Sequence, residues 1–159
     1  MIMNTLNFDE KGCLIPYSII KTDLGTLKKT FVFNEHRETL FNAYEDFNAE
    51  LQNLTSCPLI QWMGGSFITL KELPKDIDTV TFIPFDIFDK YKNKLRELET
   101  KHRGNQMDCF FERLYSKKHS NYQDYISNTI YWHRLYSKFP VQKQAVRWLP
   151  KGFIDINFQ

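Results

Sequence analysis

The chain has 159 residues, of which 42% are hydrophobic and 25% charged, and its formal net charge is +2. That length suits one domain with a real core, and that balance excludes an intrinsically disordered chain. No window approaches eighteen consecutive apolar residues, which excludes a membrane-spanning helix.

Three widely spaced cysteines, Cys13, Cys57 and Cys109, with no C-x-x-C, argue against a disulfide framework or a zinc knuckle. They read as reduced thiols of a cytoplasmic protein. The opening MIMNTLNFDEKG has neither the basic nor the apolar region of a signal peptide.

Residues 1–33 mix short apolar runs with Gly and Pro (GCLIPYSII, LGTLKKTFVF), and no single period prevails. They read as an N-terminal extension to a core over residues 34–159. Asn34 is placed to cap a helix. Leu40, Ala43, Tyr44, Phe47 and Leu51 follow at helical spacing, giving an amphipathic helix that ends near Leu54.

PLIQWMGG reads as a strand closed by glycines, and Ser66 is expected to cap a short helix after it. DIDTVTFI alternates and is rich in β-branched residues, which predicts a second strand. Pro84 suits a helix start, with Phe88, Tyr91, Leu95 and Leu98 on its apolar stripe and Gly104 as the stop.

QMDCFFERLY predicts a third strand, on which Cys109 faces the core opposite Asp108. YQDYISNTIYWHRLYSKF predicts a helix with Tyr122, Tyr125, Ile126, Thr129, Ile130, His133 and Tyr136 on one side, ended by Pro140. KGFIDINF alternates again and predicts a final strand. This order implies one α+β (α/β-like) domain over residues 1–159, a small mixed β-sheet flanked by helices.

Asp76 and Asp78 are the anomaly in this pattern. In a strand, residues i and i+2 share a face, so the two carboxylates project together while Ile77 and Thr79 turn away. Two carboxylates side by side repel unless a cation sits between them. A hard ion such as Mg²⁺ suits that pair, and Asp108 reaches the same place if its strand is adjacent. The competing reading makes Asp76 a turn residue after Pro74-Lys75 and Asp78 an exposed strand position. Gly64 and Gly65 let backbone approach a ligand closely, and the helix expected after Ser66 would present N–H groups to a phosphate.

Gly65-Ser66, then nine residues, then Asp76-Ile77-Asp78 with apolar flanks, then Asp108 on a separate strand, resembles the polymerase β-like nucleotidyltransferase superfamily. The short chain resembles its minimal nucleotidyltransferases, small domains often found as antitoxin partners of HEPN toxins. The longer phrase GGSFIT…PKDIDTVTF, with HRETL upstream and KGFIDINF at the end, is similar to an uncharacterised bacterial nucleotidyltransferase-like family.

The core of this likeness covers about fifty residues, Ile60 to Phe111. It implies that Gly64, Gly65 and Ser66 contact the phosphates of an NTP, ATP first among them. Asp76, Asp78 and Asp108 would hold two Mg²⁺ ions, with Asp108 also positioning the attacking hydroxyl. The acceptor would be a protein, an RNA or a small molecule, and a toxin protein would be a partner. The alternative it implies is a catalytically silent binding module of the same fold.

Charge is unevenly spread. Eight Lys and Arg fall between Arg113 and Lys151, against one acid, Asp124. The aromatics Tyr122, Tyr125, Tyr131, Trp132 and Tyr136 interleave with them, a mixture that suits either base stacking or a packed helix. The R-x5-H spacing of Arg113 and His119 falls at a strand end and carries no chemistry. His36, His102 and His133 have no partners at metal-ligand spacing.

Overall fold

The computed structural model describes residues 5–140 and 148–159. Lys143 and Arg147, counted above in the basic third, lie outside them. Two short strands, β1 (Asn7–Phe8) and β2 (Leu14–Ile15), pair antiparallel. Their turn is held by Asp9, whose Oδ1 accepts from the N–H groups of Lys11 and Cys13. Strand β3 (Ile19–Lys21) leads to helix α1 (Leu24–Phe31), capped by Asp23 through the Thr26 N–H at 2.8 Å. Elements of two, two, three and eight residues are too short to impose a period, which is why this stretch is illegible by pattern.

Helix α2 (Glu35–Thr55) starts as expected, the Asn34 side chain accepting from the Arg37 N–H at 2.9 Å. Strand β4 (Leu59–Gly64), strand β5 (Ile77–Pro84), helix α3 (Phe85–His102) and strand β6 (Met107–Leu114) follow in the expected order. Helix α4 (Tyr122–Tyr136) stops four residues before Pro140, which lies in strand β7 (Lys138–Pro140). Strand β8 (Trp148–Pro150) pairs with β7, and strand β9 (Phe153–Phe158) closes the series.

The central sheet has the order β3-β9-β4-β5-β6. Strand β9 runs parallel to β3 and antiparallel to β4, β4 antiparallel to β5, and β5 parallel to β6 through the α3 crossover. The sheet is mixed and the fold is α+β. The segment read as an extension thus supplies an edge strand of the same sheet.

Strand alternation assigns the two faces. Gln61 and Thr81 point to α2, where Tyr44 Oη donates to Gln61 Oε1 at 2.7 Å. Gln61 Nε2 donates to Asn48 Oδ1 and Thr81 Oγ1, so this buried polar knot is fully paired. Phe111 stacks on Phe47 of the same helix. On the opposite face Phe82 meets Tyr125, Phe110 meets Trp132, and Glu112 accepts from Trp132 Nε1 and Asn128 Nδ2. Asp78 shares parity with Phe82, and Asp108 with Phe110, so both carboxylates belong to the α4 face.

Two expectations for α4 are corrected. Ile130 and His133, read on the inner side, are exposed, while Trp132 is buried and carries the packing with Tyr136. The rest of the expected stripe, Tyr122, Tyr125, Ile126, Thr129 and Tyr136, is partly or fully buried.

Among the described residues, no helix is long and apolar enough to cross a membrane.

Candidate functional site

Asp78 is the second residue of β5 and has a partner on each side. Across the antiparallel ladder it pairs in register with Gly64, and across the parallel ladder with Asp108. Neighbouring strands lie about 4.8 Å apart, so the two carboxylates rise side by side from adjacent strands. Asp76 precedes β5 and adds a third charge felt by Asp78. Ile77, Thr79 and Cys109 point the other way and are fully buried. The facing of Cys109 matches this geometry; Asp76, expected in the strand with Asp78, instead lies just before β5, so strand alternation does not set its direction.

The two glycines serve different neighbours. A Cβ on Gly64 would overlap the ring of Tyr136, which lies flat against that backbone. Gly65 has φ +67°, and a Cβ there would overlap Asp78 Oδ2. The Gly65 backbone therefore rests directly on the Asp78 carboxylate, an approach only glycine permits. Gly65→Ala should destabilise the fold by about 2 kcal/mol or more, combining left-handed strain with displacement of Asp78. Urea unfolding measures it, and a loss below about 0.5 kcal/mol would show that the turn rearranges freely.

No helix follows Ser66, contrary to expectation. Residues 65–70 form turns, with Thr69 Oγ1 donating to the Ser66 carbonyl at 2.7 Å. The physical reason is Arg37. Its fully buried guanidinium donates to the carbonyls of Phe67 at 2.8 Å, Thr69 at 2.7 Å and Lys71 at 2.6 and 3.1 Å. A fifth bond goes to Phe31 O at 3.0 Å. Carbonyls that a helix would direct to N–H groups four residues on are taken by a side chain of α2 instead. Leu70 N–H donates to Gly12 O, tying the turn to the β1–β2 hairpin.

The electrostatics are set by burial and like charge. Burial pushes the Asp78 carboxyl up to about 7, with Asp76 and Asp108 pushing the same way and Lys151 opposing. Asp108 is partly neutralised by Arg103, whose Nε lies 3.3 Å from Oδ1.

Lys151 was counted above only as part of a basic third. Here it is completely buried, and its Nζ has no hydrogen-bond partner among the described residues. Burial lowers its amine to about 8, while Asp78 and Cys13 favour the charged form. The sequence signal was a lysine between Pro150 and Gly152 inside an otherwise apolar run. Tyr136 is 3% exposed and its Oη is likewise unpartnered.

The donor set fits a Mg²⁺ ion only in part. Among the described residues no group of three or more His, Cys, Asp or Glu side chains is arranged to hold a metal. Mg²⁺, however, is commonly held by one or two carboxylates and completed by substrate phosphates and water. Asp76 and Asp78, with Asp108 in register alongside, supply that smaller set.

The aromatic-basic mixture on α4 divides. Trp132 and Tyr136 are core residues. Tyr131 at 59% and Trp148 at 52% are exposed, and with Ile130, Leu135, Arg134 and Lys138 they line a groove of about 410 Å³ on the outer side of α4. Arg113 pairs with Asp89 at 2.7 Å and sits over the Phe88 ring, a structural use. His36 bonds the Pro74 carbonyl, His102 bonds Glu50 and His133 packs on Phe153.

The class these features define is a small α+β protein in which a glycine turn is pressed against carboxylates at the ends of adjacent strands. The chain belongs to the family of unknown function DUF6932, which matches residues 6–157. No match to the chain was found among the curated proteins or among the solved structures.

Proposed function

We propose that the chain is a Mg²⁺-dependent nucleotidyltransferase that moves NMP from an NTP, ATP first among them, to a hydroxyl of a protein, an RNA or a small molecule. One observation carries the reading: Asp78 and Asp108 stand in register on adjacent parallel strands while the Gly65 backbone rests on the Asp78 carboxylate. That arrangement supports phosphate held at the glycine turn next to carboxylates able to hold a divalent ion.

Asp76 and Asp78 would hold Mg²⁺, whose bound charge offsets that of the triphosphate. The Gly65 and Ser66 backbone and the Ser66 hydroxyl orient the phosphates from the other side. Asp108 accepts a hydrogen bond from the acceptor hydroxyl and aligns it for in-line attack. The Tyr136 ring on Gly64 closes the α4 side of the site against water.

The test is incubation of the purified protein with labelled ATP, Mg²⁺ and candidate acceptors. Transfer should fall by about a hundredfold or more in Asp76→Ala/Asp78→Ala. Equal labelling by wild type and the double variant would remove the enzymatic reading.

A second reading is a silent nucleotidyltransferase-like module, an antitoxin or regulatory subunit acting by protein contact. The Arg103–Asp108 ion pair favours it, because it occupies the third carboxylate. It requires that the double variant still bind or neutralise its partner.

A further inference from the structure

Two buried donors at this site have nothing to donate to. Lys151 Nζ and Tyr136 Oη are enclosed, and neither has a hydrogen-bond partner among the described residues. Leaving such groups unpaired is costly, and native structures rarely tolerate it without a reason.

Both flank the same carboxylate. The Tyr136 ring lies on Gly64, the register partner of Asp78. Lys151 lies just before β9, at the end of the β9–β4 ladder where β4 gives way to the Gly65-Ser66 turn. No salt bridge within 4.0 Å joins Lys151 to Asp78 or any other described carboxylate.

The lysine's position is fixed from both sides. Lys151 N–H donates to Ser137 O at 3.0 Å, and Gly152 N–H donates to Leu14 O at 2.7 Å. A Cβ on Gly152 would crowd the Pro16 carbonyl, so the backbone is clamped under the N-terminal segment. The fixed backbone thus holds an unpaired amine and an unpaired hydroxyl near the glycine turn, two donors that an anion would satisfy.

We infer that Lys151 and Tyr136 form the anion-binding floor of the site and donate to a phosphate oxygen of the ligand received by the Gly65-Ser66 turn. This rests on the reading of the site as one for a phosphate-bearing ligand. Lys151 supplies the positive charge that the glycine turn, lacking a helix behind it, does not. Tyr136 supplies a neutral donor from the α4 side.

The experiment titrates inorganic tripolyphosphate, in EDTA, and a non-hydrolysable ATP analogue, with Mg²⁺, into wild type, Lys151→Met and Tyr136→Phe. Each variant's melting temperature is measured alongside. Both substitutions keep shape and remove a donor. Lys151→Met is expected to weaken tripolyphosphate binding about tenfold or more, and Tyr136→Phe about threefold to tenfold. Lys151→Met should also raise the melting temperature by roughly 2–4 °C, because an uncompensated buried charge is replaced by a methionine.

A lysine serving only as a structural partner of Asp78 predicts the reverse: a lower melting temperature and unchanged affinity for both probes. That result would overturn the inference and leave the nucleotide reading standing. Lys151-dependent tripolyphosphate binding without any binding of the ATP analogue would support the floor and remove the nucleotide reading. No binding of either probe to wild type would remove both.

Discussion

Arg37→Met should cost about 4 kcal/mol of stability, a fall in melting temperature of roughly 8–16 °C. The guanidinium is fully buried and makes five hydrogen bonds, to Phe31, Phe67, Thr69 and Lys71, all of them backbone carbonyls. It also lies over the rings of Phe33 and Phe67. Burial lowers it to about 10, so it stays charged at neutral pH.

Methionine fills the space but leaves four carbonyls without their donor. Lysine keeps the charge but has three donors on one atom, which cannot span carbonyls that Arg37 reaches from three nitrogens. Arg37→Lys should therefore recover less than half of the loss. Thermal and urea unfolding measure the cost, and amide exchange locates it. Protection should fall at residues 67–71, the segment that carries the glycine turn, before it falls in β5. A loss under about 1 kcal/mol would mean that the turn holds itself and Arg37 merely fills space.

Asp78→Asn carries the second large effect, with opposite signs for stability and for transfer. On the proposed reading transfer should be abolished, because the neutral amide cannot hold a divalent ion as a carboxylate does. Stability at neutral pH should rise. In the metal-free protein the folded carboxyl titrates near 7 instead of 3.8. Between those values the native state binds more protons than the unfolded state, so stability falls as pH rises. The contribution is complete below pH about 4 and fully lost above pH about 7. It amounts to a few kcal/mol at most.

Urea midpoints in EDTA at several pH values, compared between wild type and Asp78→Asn, isolate Asp78 with the groups coupled to it, because titrations elsewhere cancel in the difference. The advantage of the variant should grow from acid to neutral pH. A pH-independent difference would mean that Asp78 is not held against its ionisation.

Much of the architecture was legible from residue order. Asn34 announced α2, Pro84 and Gly104 bracketed α3, and alternation marked β5 and β9. Asp78 and Asp108 could each be placed near the start of a strand, but that the two strands are neighbours was a condition, met by the β5–β6 pairing. What stayed hidden depended on partners far along the chain. The helix expected after Ser66 fails because Arg37, some thirty residues earlier, captures its carbonyls. Lys151 looked like one more solvated base, and only the meeting of β9 with β4 and the N-terminal hairpin encloses it. On α4, Ile130 and His133 fall outside the inward stripe and Trp132 falls inside it, where its Nε1 donates to Glu112 on another element.

The position of β9 has a kinetic consequence. It is the last of these strands in chain order, yet it lies second in the sheet, between β3 and β4. Its parallel partner β3 is more than 130 residues away, Ile19 matching Phe153. Until β9 arrives, β3 has no sheet to join and β4 presents an open edge of unpaired backbone groups. Such non-local closure is slow and leaves a transient surface open to pairing with other chains. The pairing that completes the sheet also encloses Lys151, so the site exists only once this long-range pairing has formed.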